Sequence, residues 1–465
     1  MKTSCRNPTF EAPGVYRGKG YKFPVNCLTK NSLHAEDTYL TVAIFRFQGS
    51  YEESVWNILK TLNLEDRVFG SDTVVVKPNF GCLHLGYPKP IQESIGTDPN
   101  LVVALVKILK ENGVGRVIVA ESGMYGVKID RVYEGLELAK SIPEAGGELY
   151  NIDQGEFQPV KINGTELNMS KVFSDCDFLI NMPAMKTHIL CTVSLGGKNI
   201  ALGSVDFKSK AKIHREGIHR LIALIAERLN PGLTIIDGIV SHEFLGPTFG
   251  LPRRSNLLIA GDNVVSTDSV AATIMNIDPE KVEHLRIASE NGFGTVNIKK
   301  IEIKGEKLEN VIIPDFKPSC RIEKAGEYYS RALGIDGKMM ICGTDYCSGC
   351  LNATVGVIWI ITNYTEGETK PFTLVMGTDG EVPEKPLGKV YIVGDCQAKN
   401  KEKGEFLPGC PPSGRDFYKI FVDQCLSEEA KRKAIEGEER RRASKDRRLP
   451  PMRHTLQYYQ NANQE

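Results

Sequence analysis

The chain has 465 residues, enough for two or three domains that each bury a core of their own. Its 41% hydrophobic and 25% charged residues suit an ordinary globular protein, and 58 basic residues balance 58 acidic ones, so no net field draws it to nucleic acid or anionic lipid. No apolar stretch approaches the roughly 18–20 residues that span a bilayer, and "MKTSCRNPTFEAPG" has no apolar run after its basic residues; neither nucleic acid nor membrane is an expected partner, and the expected location is cytoplasmic.

Residues 1–40 show no sustained period and read as an N-terminal arm. From Thr41 onward, short apolar strands alternate with amphipathic helices. "TVAIFRF" precedes the helix "YEESVWNILKTLNL", "DTVVVKPNF" precedes "DPNLVVALVKILKENG", and "RVIVAESG" precedes a helix over Arg131–Gly146. Asp98 with Pro99 opens the second helix, and Gly113 closes it after Lys110. The alternation resumes with "DFLINMPAMKTH", "IHRLIALIAERLN", "LTIIDGIVS", "NLLIAGDNV" and "STDSVAATIM", and "VNIKKIEIKG" reads as a strand pair. This pattern predicts an α/β domain over residues 41–310, an open, mostly parallel sheet with helices on both faces. Residues 311–338 read as a linker, 339–425 as a smaller C-terminal α/β domain with strands "KPFTLVMG" and "GKVYIVGD", and 426–465 as a charged tail.

Polar residues stand where the parallel strands of the large domain are expected to end. Lys77 and Asn79 follow three valines; Glu121 and Ser122 close "VIVAES"; Lys186, Thr187 and His188 close "NMPAMKTH"; Asp237 follows "TII". Carboxyl ends of strands border the ligand crevice of an open α/β sheet, so these groups are expected to converge there. Gly196 and Gly197, before Lys198 and Asn199, are placed to offer backbone amides to an anion that Lys198 neutralises. His214 and His219 stand five apart, an imperfect spacing for one helix face, and "SHEFLGPTFG" adds His242, Glu243 and a Gly-Pro turn suited to closing over a ligand. Lys77, Asn79, Ser122, Thr187, Lys198, Asn199, His214 and Asp237 are therefore the candidate substrate-binding residues for a small anionic molecule or cofactor. His188, Glu121 and Lys186 are the candidate catalytic groups, of types that move protons when tuned near neutrality.

The twelve cysteines are unevenly spread. "CSGC" carries Cys347 and Cys350, Cys396 follows a predicted strand, and Cys410 lies in "PGCPP". A C-x-x-C turn lets two thiolates face one centre, and two more from distant loops make four soft ligands. Zinc, an iron–sulfur cluster and incidental buried thiols all remain open on this pattern, though the second C-x-x-C of a zinc ribbon is missing. The surroundings favour iron–sulfur: Gly394, Gly404 and Gly409 allow close backbone approach to sulfur, and proline after Cys410 removes backbone donors on one side and fixes the loop. Cys342 is a fifth candidate, while the remaining cysteines are isolated and read as small core or surface residues.

"CSGC", "GDC" and "LPGCPP" resemble the proximal-cluster module of nickel–iron hydrogenase small subunits and the related quinone-reductase subunit. That resemblance implies a 4Fe–4S cluster on Cys347, Cys350, Cys396 and Cys410, with "QAKNKEKG" replacing the Gly-Gly expected after the third cysteine. It also implies a redox-partner protein. A second resemblance covers residues 41–300: "VKPNF", "GTDPNLVVALVKILKENG", "MPAMKTH", "SLGGKN", "TIIDGI" and "STDSVAA" are similar, in order, to the landmarks of the family catalogued as domain of unknown function 362, whose members often carry iron–sulfur modules. A weaker similarity reaches the nickel-pincer lactate racemases, in which Lys198 and His214 would correspond to cofactor-serving positions. The expected function is an iron–sulfur oxidoreductase that couples the cluster to an anion at the strand ends. A metal- or cofactor-dependent isomerase or lyase with a structural cluster, and an electron-carrier or maturation protein, are the alternatives. No G-x-G-x-x-G opens a helix after a strand, which argues against a nicotinamide cofactor bound in the usual way.

Overall fold

The computed structural model describes residues 40–443, apart from residues 84, 86, 88, 125 and 126 and the side chains of residues 348 and 442. The expected arm lies outside the described residues except for Leu40, as do Cys5, Cys27, His34, His84, His454 and the end of the tail.

In chain order the large domain contains β1 (Leu40–Arg46), β2 (Thr73–Lys77), β3 (Arg116–Glu121) and β4 (Glu148–Asn151). A hairpin of β5 (Phe157–Ile162) and β6 (Thr165–Ser170) follows. Then come β7 (Phe178–Asn181), β8 (Ala184–His188), β9 (Thr192–Ser194), β10 (Leu233–Glu243), β11 (Leu251–Gly261) and β12 (Ile301–Gly305). The main sheet has the order β12-β1-β11-β10-β7-β2-β3-β4, with β8 pairing to β10 and β9 to β8. Most neighbours are parallel; β11 runs antiparallel to both β1 and β10, and β9 antiparallel to β8.

The continuous valines of β2 are explained by cover on both faces. Val74 and Val76 enter one core with the helices Tyr51–Thr61 and Pro99–Glu111, whereas Val75 enters a second core under the helices Phe207–Leu229 and Val264–Ile274. Asp98 caps the helix Pro99–Glu111 by accepting the Asn100 amide. After β2 the chain steps outward to β3 and β4 and then returns to place β7 on the other side of β2. This reversal opens a crevice at the carboxyl ends of β2 and β7.

The C-terminal unit is a wholly parallel sheet of β13 (Met339–Cys342), β14 (Phe372–Val375), β15 (Lys389–Val393) and β16 (Glu405–Leu407). It shares a core with the large domain through ring contacts of Tyr87 with Trp359 (centroids 4.9 Å apart), Phe249 with Tyr329 (5.5 Å) and Phe244 with Tyr328 (4.8 Å).

Three local expectations are corrected. The pair in "VNIKKIEIKG" is one strand, β12, preceded by a 3-10 turn, Ile298–Lys300. The stretch read as a linker carries the helix Ala325–Ala332, whose Ala325, Tyr329 and Ala332 are buried. The charged tail, expected as a solvated helix or as disordered chain, begins with the helix Glu428–Ala443, and what is corrected is its solvation: Ala430 and Ala434 are buried although its sequence lacks a wide apolar stripe. Small alanines need little surface to pack, so they leave a faint periodic signal.

Candidate functional site

At the switch point a cavity with about 840 Å³ of empty space, its solvent-open part included, is walled by both domains. Lys77, Asn79, Glu121, Ser122, Lys186, Lys198, Asn199 and His214 line it, joined by Cys347, Gly349 and Pro411 from the C-terminal unit. Eight of the eleven candidate residues of the large domain thus meet in one place.

Their polar atoms are tightly ordered. The Lys77 ammonium lies 2.6 Å from Glu121 Oε1, both side chains being about 1% exposed. Glu121 also accepts the amides of Phe80 (2.6 Å) and Ser122 (2.7 Å), so its carboxylate is committed to holding Lys77 and the strand-end turn. Lys186 donates to Asn79 Oδ1 (2.5 Å), the Ile95 carbonyl (2.6 Å) and Cys82 Sγ (3.2 Å). Asn79 donates to Asn199 Oδ1 (2.6 Å), Asn199 to Asn181 Oδ1 (2.9 Å), and Asn181 to the Gly196 carbonyl (3.0 Å), an amide ladder across the strand ends. Ser122 Oγ donates to the Gly203 carbonyl (3.1 Å) and accepts from Lys210 (2.8 Å).

Lys198 differs from these. Its ammonium is buried and makes no hydrogen bond or ion pair among the described residues, and burial pushes it below the usual lysine range. Lys210, on the same wall, is pushed down to about 8 by burial, and His214 to about 3. Met124, Leu202, Phe207 and Pro247 make the rest of the wall apolar.

Several expectations fail for identifiable reasons. Gly196 and Gly197 do not offer their amides to a ligand: both donate to the buried Asp268 carboxylate at 2.8 Å. A Cβ on Gly196 would stand 2.8 Å from that carboxylate, which explains the glycine. Asp237 is not at a strand end, because β10 continues to Glu243; it instead accepts the amides of Asp98 (2.6 Å) and Ile239 (2.9 Å), away from the cavity wall. Thr187 faces the opposite way along β8, toward the Phe244 carbonyl at 3.4 Å. His188 lies behind the wall, where its Nδ1 accepts the Leu190 and Cys191 amides at 3.2 Å and its buried Nε2 has no partner among the described residues. Burial, then the charge of Lys198, holds it neutral. His214 and His219 are separated by Gly217 (φ 116°), where the helix is broken, so they do not form a pair. His219 instead faces Glu283 (3.5 Å) and stacks on His284. His242 is buried between Ser94 Oγ and the Gly250 amide (both 2.9 Å), Glu243 pairs with Arg253 (2.8 Å), and only Pro247 of that turn reaches the cavity.

The four cysteines are brought together. Cys347 precedes the first residue of the helix Ser348–Thr365, and Cys350, one turn in, lies close enough to Cys396 and Cys410 to feel their charge. A Cβ on Gly394 (φ 87°) would lie 3.2 Å from Cys350 Sγ and 3.7 Å from Cys396 Sγ, and one on Gly349 would lie 3.5 Å from Cys347 Sγ. The hydrogen bond between Cys347 and Cys350 lowers the first thiol and raises the second, which also feels Cys396 and Cys410. Burial raises Cys396 and Cys410, and Arg215, reaching 4.0 Å from Cys410 Sγ out of the large domain, counters it at Cys410. Asp395 clamps the two loops by accepting the Gly409 amide (2.6 Å) and donating its own to the Gly409 carbonyl (3.1 Å). Cys342 lies at the end of β13 and is raised by burial. Among the described residues no group of three or more His, Cys, Asp or Glu is spaced to hold a single metal ion. A polynuclear cluster spreads its thiolates over separate irons, so its ligands stand wider apart than those of one ion. Four thiols, two from the C-x-x-C turn and two from separate loops, around a glycine whose missing side chain keeps the space open fit such a group.

Sequence reasoning missed Lys210, Cys82, Arg215, Asp268 and Asp395. Their partners lie far along the chain, so no local spacing announces them. Among the described residues no helix is long and apolar enough to cross a membrane.

Over residues 74–273 the chain matches the family model described as "Domain of unknown function (DUF362)". It is 30% identical over 300 residues to a thylakoid-associated protein of Synechocystis, in an alignment covering 59% of this chain and 89% of that protein. The lactate racemase apoprotein of Thermoanaerobacterium thermosaccharolyticum aligns at 14% identity with a TM-score of 0.33, over 54% of this chain and 56% of its own. A protein of Thermotoga maritima aligns at 14% identity with a TM-score of 0.32, over 52% and 58%. The chain thus spans little more than half the length of those two structures. With most of the thylakoid-associated relative covered and the family model matched across the crevice-forming strands, the chain belongs to the family described as domain of unknown function DUF362.

Proposed function

We propose that this protein is an iron–sulfur oxidoreductase in which Cys347, Cys350, Cys396 and Cys410 hold a 4Fe–4S cluster beside a cavity for a small anionic molecule. One observation carries this reading: Cys347, Gly349 and Pro411 line the same cavity as Lys77, Lys186 and Lys198. Electron transfer and substrate binding need that adjacency, and a cluster with a purely structural role does not. When bound, such a cluster takes up and releases single electrons. Lys198, buried without a partner, receives the acid group of the ligand, and desolvation on binding strengthens that pairing. Lys210, at about 8, gives or accepts a proton near neutral pH, and His214 stays neutral beside it. Lys77 with Glu121, and Lys186 with Asn79, hold the floor in place. Arg215 offsets the negative charge of the thiolates. A cytoplasmic location and a protein redox partner complete the proposal.

Anaerobic purification followed by iron and sulfide analysis tests it. The expected preparation is coloured, bleaches with dithionite, and loses its iron in Cys347→Ser and Cys410→Ser variants. A colourless protein that holds stoichiometric zinc on the same cysteines overturns it. A second reading, a cofactor-dependent isomerase or lyase with a structural cluster, draws on Lys198 and His214 sharing the cavity. It is favoured if a further metal or cofactor co-purifies and leaves in a His214→Ala variant. Retention of the cluster with unchanged ligand binding in Lys186→Met and Lys198→Met variants would point instead to an electron carrier.

A further inference from the structure

We propose that Cys82 is a reactive sulfur nucleophile of the crevice, contacted by the Lys186 ammonium and placed to attack a soft electrophile whose acid group is bound by Lys198. This rests on the anion-binding reading of the cavity and not on the cluster.

Charge balance leads to it. The Lys186 ammonium is about 1% exposed, and its three donors are taken by Asn79 Oδ1, the Ile95 carbonyl and Cys82 Sγ. Among the described residues it forms no ion pair with a carboxylate, unlike Lys77 with Glu121. A buried cation without a counter-charge is strongly disfavoured. Of the three acceptors, only the sulfur can carry a negative charge, and an adjacent lysine stabilises a thiolate. Cys82 is about 6% exposed, yet it is among the residues that line the cavity. A second, independent observation points to a ligand there: Lys198, about 8% exposed on the same wall, has no hydrogen-bond or ion-pair partner among the described residues. The cavity therefore presents a nucleophile with its own cation and a second cation left over for an acid. In the reaction the sulfur lone pair forms a bond to the electrophilic carbon, and the leaving group departs with the electrons of its own broken bond. No oxidant or reductant is required.

Iodoacetate and iodoacetamide share an electrophilic carbon and leaving group and differ in the acid. Labelling of the full-length protein with each, followed by peptide mapping, gives a rate for every cysteine. Cys176 and Cys191 are internal controls, since burial pushes them up to about 12 and about 11. Cys82 is expected to react at least about ten-fold faster than either, with iodoacetate ahead of iodoacetamide. Lys198→Met is expected to abolish the preference for iodoacetate. Lys186→Met is expected to slow both reagents about ten-fold, and Lys186→Arg to keep most of the rate. Cys82 labelling no faster than the two controls, or equally fast with both reagents in the wild-type chain, overturns the proposal without need of any variant. Because iron content is measured separately, rapid acid-selective labelling of an iron-free preparation would leave this inference standing while the oxidoreductase reading fell.

Discussion

Lys77 and Glu121 pair deep in the protein, and the effect of breaking that pair is asymmetric. Removing one charge leaves the other buried and uncompensated, at about 3–5 kcal/mol, whereas replacing both with neutral groups restores much of the loss. Lys77→Met is therefore expected to lower the urea midpoint sharply, and Lys77→Met with Glu121→Gln to recover much of it. Equal losses in the single and double variants would mean that the two residues do not act as a pair. Both residues were legible because they follow apolar runs, but a role as proton donor for Glu121 was not sustained: its oxygens already accept from Lys77, Phe80 and Ser122. Sequence places a carboxylate at a strand end; only folding determines how many donors surround it.

The same separation holds at the level of elements. "GGKN" marks a backbone that must come close to something, and the helix Gly196–Gly203 does, but the something is Asp268, about seventy residues onward. Asp268→Ala leaves two buried amides without acceptors and is expected to destabilise by about 1–3 kcal/mol per orphaned group, read from denaturant unfolding. The glycine of "VGDC" has a comparable task in the C-terminal unit. Gly394→Ala places a methyl 3.2 Å from Cys350 Sγ on a backbone with φ 87° and ψ 159°, a region kept almost to glycine, which costs about 1–3 kcal/mol from the backbone alone. Under the iron–sulfur proposal this variant is expected to fold with reduced iron content. Full iron in Gly394→Ala would show that the space beside these thiols is not needed.

Across the whole molecule, buried titratable groups set the response to acid. Burial holds His214, His242 and His284 down to about 3, and lowers His188 and His219 as well, so these five bind protons in the unfolded chain near 6.5 but not when folded. Their contribution to stability is complete above the unfolded value and is lost as the pH falls toward the folded one. Asp237 and Asp268 act oppositely: raised to about 7, they favour the folded state most at low pH, and that contribution fades as pH climbs to about 7. The five histidines outnumber these two together with Asp262 and Glu227, carboxyls that burial also raises, so the urea midpoint is expected to fall between about pH 7 and about pH 5. His284→Phe, which removes two buried nitrogens without hydrogen-bond partners among the described residues, is expected to make that fall shallower. A midpoint that rises on acidification would show that the carboxyls dominate.

Taken alone, the sequence determined the alternation of strands and helices, the cap at Asp98 and the identity of the strand-end residues that line the cavity, because those depend on residues within one turn or one strand of each other. The tertiary structure decided what each buried charge faces. It sent Asp237, Thr187 and His188 away from the cavity, occupied the Gly196 and Gly197 amides, and placed Lys186 against Cys82 and Arg215 against Cys410. Electrostatic partnership depends on separation in space, and residues more than a hundred positions apart become neighbours only once the sheet has closed around its switch point.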